Sequence, residues 1–278
     1  MLTCDTESKF KPASRSMKFK TLFLLGALAA LVTPSLRAGE PAPEKNIAVV
    51  EDTYVGGRGL LTIQGPTGMF INPTSGTLPE GSFTAQYCLL LPNNETDIIG
   101  HGGLISYGVT EWLEIGGLLS FIDDNKNNDL TSAGGPQARV RILKDQGAMP
   151  EWSVGGYAIF GDLERYNAYT ALYKNFVIDP SGMVRSIGLH LGLRETWIED
   201  SADSQDAPVG YGGLEIELPF RLYLVGEVST KDKDSGGDKT PYAFGVQWRL
   251  GGVNISTAFA NTGAFSEPSF FFGVGSQF

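Results

Sequence analysis

The stretch GGLISYGVTEWLEIGGLLSFI, Gly102–Ile122, decides the fold. Ile105, Tyr107 and Val109 alternate with Leu104, Ser106 and Gly108; beyond the pair Glu111-Trp112, Leu113, Ile115, Leu119 and Phe121 alternate with Glu114, Gly116 and Ser120. A period of two marks a strand with unlike faces, and two such runs joined by two residues read as an antiparallel hairpin.

Outward from this hairpin the alternation recurs over Ser82–Leu91, Gln137–Lys144, Glu151–Phe160, Tyr166–Val177, Val184–Trp197, Val209–Leu218, Arg221–Thr230, Pro241–Leu250, Val253–Ala260 and Ser269–Phe278, which with the first two runs makes twelve. The gaps between the runs alternate in character. Pro92–His101, Asp123–Pro136, Gly161–Arg165, Ile198–Pro208, Lys231–Thr240 and Asn261–Pro268 are mostly long and polar, whereas Glu111-Trp112, Asp145–Pro150, Ile178–Met183, Pro219-Phe220 and Gly251-Gly252 are mostly tight. Short turns at one rim and long loops at the other are the habit of outer-membrane barrels. Ten residues at about 3.3 Å rise, tilted by roughly 40°, span about 25 Å, the height of an apolar band. The expected fold is therefore all-β, a transmembrane antiparallel up-and-down β-barrel of about twelve strands, closed because an open edge in hydrocarbon leaves backbone groups unpaired.

The face expected to meet lipid carries Phe83, Ile105, Ile115, Tyr173, Leu189, Leu191, Leu193, Leu214, Leu224, Phe244 and Phe272. Aromatic residues collect where the rims fall, with Trp112, Trp152, Phe176, Trp248 and Phe278 at one end and Phe121, Phe160, Trp197, Tyr242, Phe259 and Phe270 at the other. Two such girdles suit the two membrane interfaces. The opposite face, expected to line the lumen, carries Glu114, Arg139, Arg141, Lys174, His190, Arg194, Glu215, Glu217, Glu227 and Arg249. Unlike charges fall on neighbouring strands, Glu114 beside Arg139 and Arg141, Arg194 beside Glu215 and Glu217, and Glu227 beside Arg249. Such pairs either tie together a narrow, filled interior or line a small polar pore. Twelve strands lie between the eight that side chains fill and the sixteen that leave an open channel.

The one long apolar run lies between Thr21 and Val32, behind Met17-Lys18-Phe19-Lys20 and ahead of Ala38-Gly39. It is too short to span a bilayer and reads as a secretory signal over residues 1–38, cleaved after Ala38, with Met17 as the natural start. Residues 39–81 then form a periplasmic or lumen-plugging segment, and residues 82–278 the barrel. Leu60, Leu61, Ile63, Met69, Phe70 and Ile71 are too apolar for a free tail, which favours the plug. Of 278 residues, 36 are Gly and 2 are Cys, and the formal charge is −10. Cleavage leaves 15 basic and 29 acidic residues, net −14, with Cys88 alone. So few cations give no footprint for nucleic acid, and two separated histidines offer no metal spacing.

The C-terminal alternation Phe270, Phe272, Val274, Ser276, Phe278 resembles the terminal recognition strand of bacterial outer-membrane proteins, which implies delivery to the outer-membrane assembly machinery through Phe278. The stretch Gly59-Leu60-Leu61-Thr62 through Pro66-Thr67 to Leu78-Pro79-Glu80-Gly81-Ser82, with Gly213-Leu214-Glu215 and Gly226-Glu227-Val228, is similar to YjbH-like outer-membrane proteins, a group linked to exopolysaccharide export. Extra residues after Gln64 depart from that pattern.

The expected function is a narrow passive pore for small hydrophilic solutes in the bacterial outer membrane, or a component of envelope polysaccharide export, with outer-membrane lipid and lipopolysaccharide as surroundings. The alternative is a closed structural or surface-binding barrel, whose loop carboxylates Asp123, Asp124, Asp129, Asp200, Asp203, Asp206, Asp232, Asp234 and Asp238 would meet cations bridging lipopolysaccharide. A barrel phospholipase needs a Ser, a His and a polar orienter. His190 stands between Leu189 and Leu191 with no Ser two residues away, and His101 falls in an outer loop near Asp97; no enzyme, catalytic residue, metal or cofactor is expected.

Overall fold

The computed structural model describes residues 60–63, 65–91, 93, 97–124, 129–162, 164–198, 208–231, 239–250, 252–263 and 267–278. The expected signal over 1–38, the stretch 39–59 and the loop residues Asp200, Asp203, Asp206, Asp232, Asp234 and Asp238 lie outside them. A small hairpin of β1 (Leu60–Leu61) and β2 (Thr67–Gly68) comes first. The barrel strands follow: β3 (Phe83–Leu90), β4 (Ile98–Thr110), β5 (Leu113–Asp124), β6 (Asp129–Leu143), β7 (Glu151–Gly161) and β8 (Arg165–Val177) make one half. β9 (Ser186–Ile198), β10 (Val209–Leu218), β11 (Leu222–Ser229), β12 (Tyr242–Leu250), β13 (Val253–Asn261) and β14 (Ser269–Gln277) make the other.

The twelve strands β3–β14 form one closed barrel in which sequence neighbours pair antiparallel and β14 pairs with β3. Phe83 and Phe278 exchange backbone hydrogen bonds of 3.0 and 2.8 Å at the seam, and their rings lie 6.3 Å apart. The alternation explains the wall. Leu104, Ser106, Glu114, Leu118, Gln137 and Arg139 are buried inside, while Ile105, Ile115, Leu119, Leu191, Leu193, Phe244 and Phe259 stand exposed outside. A largely apolar outer surface of this kind is what a bilayer covers. Trp112, Trp152 and Trp248 lie at the tight-turn end, Trp152 donating to Thr170 Oγ1 (2.8 Å) and Trp248 to Phe220 O (3.0 Å). Trp197 and Phe270 lie toward the loop end, with Phe270 5.9 Å from Phe259.

Two expectations are corrected. β4 and β6 reach farther toward the loop end than the sequence suggests, since Ile98–His101 and Asp129–Pro136 are strand. Gly100, Gly102, Gly134, Gly135 and Pro136 carry weak strand propensity, yet cross-strand partners such as His101 with Phe121 and Ser132 with Phe121 hold them in the ladder. Consequently His101 is no loop residue: Tyr87 and His101 are bonded, oxygen to Nδ1, at 2.7 Å on the outer face. Second, the faces of β8 are inverted at one place. Tyr173 is buried inside and Lys174 faces outward at the rim, where it bonds Asp145 and the carbonyl of Gly147 (2.5 Å). At this position the tyrosine hydroxyl finds its partner, Glu215, in the polar lumen, whereas the lysine stem can lie along the apolar wall and bring its ammonium to the rim.

Candidate functional site: the filled lumen

The interior of the barrel holds the described residues between Leu60 and Leu78. Leu60, Leu61, Met69, Phe70, Ile71 and Leu78 are all at most 2% exposed. Leu61, Met69, Phe70 and Ile71 join one apolar cluster with Cys88, Leu104, Leu118 and Phe271 of the wall. Lumen-facing glycines make room. A Cβ at Gly102 would meet Leu61 and Cys88, at Gly213 the Met69 sulfur, at Gly275 Leu60, and at Gly108 the Pro79 carbonyl.

Charged side chains fasten this segment. Glu227 on β11 accepts hydrogen bonds from the backbone N–H groups of Phe70 (2.7 Å), Ile71 (2.6 Å) and Asn72 (3.1 Å), and from Asn72 Nδ2 (2.9 Å). Five strands away around the ring, Arg139 on β6 donates to the carbonyls of Gly76 and Thr67, to Thr67 Oγ1 (2.9 Å) and to Tyr169 Oη (2.9 Å). Glu114 accepts from Leu78 N (3.1 Å) and Gln137 Nε2 (3.0 Å), and Glu151 from Ser75 Oγ (2.6 Å). Hydrogen bonds to charged groups contribute about 1.5–3 kcal/mol each, so the segment is held by chemistry as well as by fit.

A second cluster supports the first. Glu215 accepts from Tyr173 Oη and from Arg249 Nη2, both at 2.8 Å, with His190 Nε2 3.5 Å away. Arg249 also donates to Gln247 Oε1 (2.7 Å), and Gln247 Nε2 donates to Met69 O (2.8 Å). The Arg249 guanidinium lies 3.9 Å from the centre of the Tyr223 ring. The chain of contacts from Tyr173 through Glu215, Arg249 and Gln247 thus ends on the plug. Arg141 reaches the Glu111 carbonyl and stands 3.9 Å from Glu151; Glu217 accepts from Ser186 Oγ (2.7 Å); Arg194 is buried on β9 opposite Tyr169. In the tight turn Glu111-Trp112, outside the membrane-spanning strands, the hydrogen bond and charge of Lys144 hold Glu111 below the usual carboxylate range.

Nine of the ten expected lumen residues therefore lie on the inner face, Lys174 being the exception, but several are not partnered as their strand neighbours suggest. Glu227 directs both carboxylate oxygens to the plug, and the ion pair of Arg249 at 2.8 Å is with Glu215. Gln137 and Gln247, which share the lumen-facing parity of their strands in the sequence, are buried there, whereas Tyr173, expected to meet lipid, is the lumen residue that the sequence reading missed. Among the described residues neither histidine is hydrogen-bonded to a serine, and no group of three or more His, Cys, Asp or Glu is placed to hold a metal.

Two solved structures are similar to part of the chain. A "KdgM porin" structure is 11% identical, with 71% of this chain covering 98% of that one at a TM-score of 0.48. A triple mutant of the Rh. blastica porin is likewise 11% identical, with the same coverage of 71% and 98% and a TM-score of 0.27. No family model and no curated protein matches the chain, so the YjbH-like resemblance finds no support there.

Proposed function

We propose that the chain is a bacterial outer-membrane pore for small hydrophilic solutes whose conductance is set by the segment Leu60–Leu78 seated in its lumen. The observation that carries this reading is the polar fastening of that segment, with Glu227, Arg139, Glu114, Glu151 and Gln247 bonded to its backbone and hydroxyl groups. With the segment out, the same side chains line a polar passage. The apolar outer wall and the terminal Phe278 strand support export through residues 1–38 and insertion by the assembly machinery among outer-membrane lipid and lipopolysaccharide. A closed structural barrel is the second reading, favoured by the burial of Phe70 and Ile71 at 0 and 1% exposure. Polymer export, the finer implication of the YjbH-like resemblance, is not carried further, because the described lumen is occupied.

One measurement separates the two readings. The refolded chain from Gly39 onward, in planar bilayers with potassium chloride, should show brief, small current steps, and liposomes containing it should swell in small sugars and not in large ones. A folded, membrane-inserted protein that passes neither ion nor sugar would be the closed barrel.

A further inference from the structure

We infer that Glu227 is the latch of the plug: its negative charge keeps Leu60–Leu78 seated, and neutralising that one carboxylate opens the lumen. The inference rests on the pore reading above and adds how the pore is controlled.

Three successive backbone N–H groups and an Asn72 amide converge on Glu227, a concave arrangement that suits an anion. The partners are 155 to 157 residues apart, so the contact serves no local turn. Among the described residues the plug is otherwise joined to the wall by side chains and not by a strand ladder, since β1 pairs with β2 and neither is a strand of the closed barrel. Its exit breaks no barrel hydrogen bond until the stem, where Gly81 N donates to Gly108 O (2.8 Å). Gly81 has φ +77 and no atom within 4 Å of where a Cβ would lie, which is the freedom a hinge requires.

The wall also looks ready for water. Ser153 and Ser256 are 0 and 1% exposed, and among the described residues their hydroxyls have no hydrogen-bond partner. Both hydroxyls face the lumen, where water would reach them once the plug has left. On β10 the titratable groups beside Glu227 are Tyr211 and Glu215, which flank its cross-strand partner Gly213; on β12 its partner is Ala243, and residues 60–78 contain no titratable side chain. Acid therefore acts on this contact through Glu227 itself.

Cys88 supplies the readout. It faces the lumen beneath Leu61, buried at 5% exposure. In the full chain carrying Cys4→Ser, a small methanethiosulfonate reagent reaches Cys88 only when the plug has left. Each labelling rate is divided by that of the unfolded chain at the same pH, and folding is checked by migration of unboiled samples. Glu227→Gln should label at least tenfold faster than wild type at neutral pH and raise the open fraction of the current to match. Wild type should approach those values on acidification, and Glu227→Gln should gain nothing further. A folded Glu227→Gln that labels as slowly as wild type overturns the latch while leaving the pore intact. So does opening by Glu114→Gln or Glu151→Gln alone. Fast labelling of Glu227→Gln with no current in any variant keeps the latch and ends the pore reading. Should Glu227→Gln not fold, the wild-type acid series decides, and a rate that does not rise with acid overturns the inference.

Discussion

At the scale of single residues, the turn between β10 and β11 stores strain. Phe220 and Arg221 have φ +62 and +58, and Phe220 is 83% exposed. Side chains in this left-handed region cost roughly 1–2 kcal/mol each, and Asn and Gly are the residues that enter it most readily. Phe220→Asn with Arg221→Gly should therefore stabilise the barrel by about 1 kcal/mol or more, because the bond from Trp248 goes to the Phe220 backbone and survives. A lower midpoint in denaturant unfolding would contradict the reading. The adjacent pair on β8 tests the corrected faces. Tyr173→Phe withdraws a hydrogen bond from the buried Glu215 carboxylate and should cost about 1–3 kcal/mol, whereas Lys174→Met, at the rim, should change stability by less than about 1 kcal/mol. Equal losses would mean that the two side chains do not divide between lumen and rim. The sequence assigned them the other way round because alternation fixes only that neighbours differ, and aromatic and charged types alone misjudge which one can reach a partner.

At the scale of elements, the alternation carried nearly all of the wall. Leu189, Leu191 and Leu193 on β9 point outward, and His190 and Arg194 inward, as their spacing requires. Leu191→Arg places a charge in the apolar band near the middle of its strand and should cost about 2–4 kcal/mol, read as a lower unfolding midpoint in lipid bilayers. No loss would mean that β9 does not face hydrocarbon there. Strand ends were less legible, since Pro136 and the glycines around it carry turn propensity and are kept extended only by partners in β5 and β7. The plug was legible as apolar content in Leu60–Ile71, but its seat was not. The contacts of Glu227 with Phe70, Ile71 and Asn72 pair residues far apart in the chain, and no local period encodes which wall carboxylate meets which backbone group. The lumen-facing Gly102, Gly108, Gly213 and Gly275 are the nearest thing to a sequence trace, each a place where the wall withholds a side chain so that the plug can approach.

At the scale of the whole molecule, the barrel and its filling are separable in bonding but share one core. The ring closes through β14 and β3 without any contribution from residues 60–78, so its strand ladders do not depend on them. The apolar cluster, however, draws Leu61, Met69, Phe70 and Ile71 from the plug. Each such side chain contributes about 1.5–3 kcal/mol when buried, and part of that loss is offset as water reaches Glu227, Arg139, Ser153 and Ser256. Deleting residues 39–78 should therefore leave a folded barrel that loses its compact migration on unboiled gels at a lower temperature than the intact chain. In bilayers its current should be larger and steadier, with liposome swelling extended to larger sugars. If the deleted chain never acquires the compact form, the segment is an obligate folding core, and a pore that opens by expelling it would have to unfold to conduct. If it folds and its current matches that of the intact chain, Leu60–Leu78 does not limit the passage.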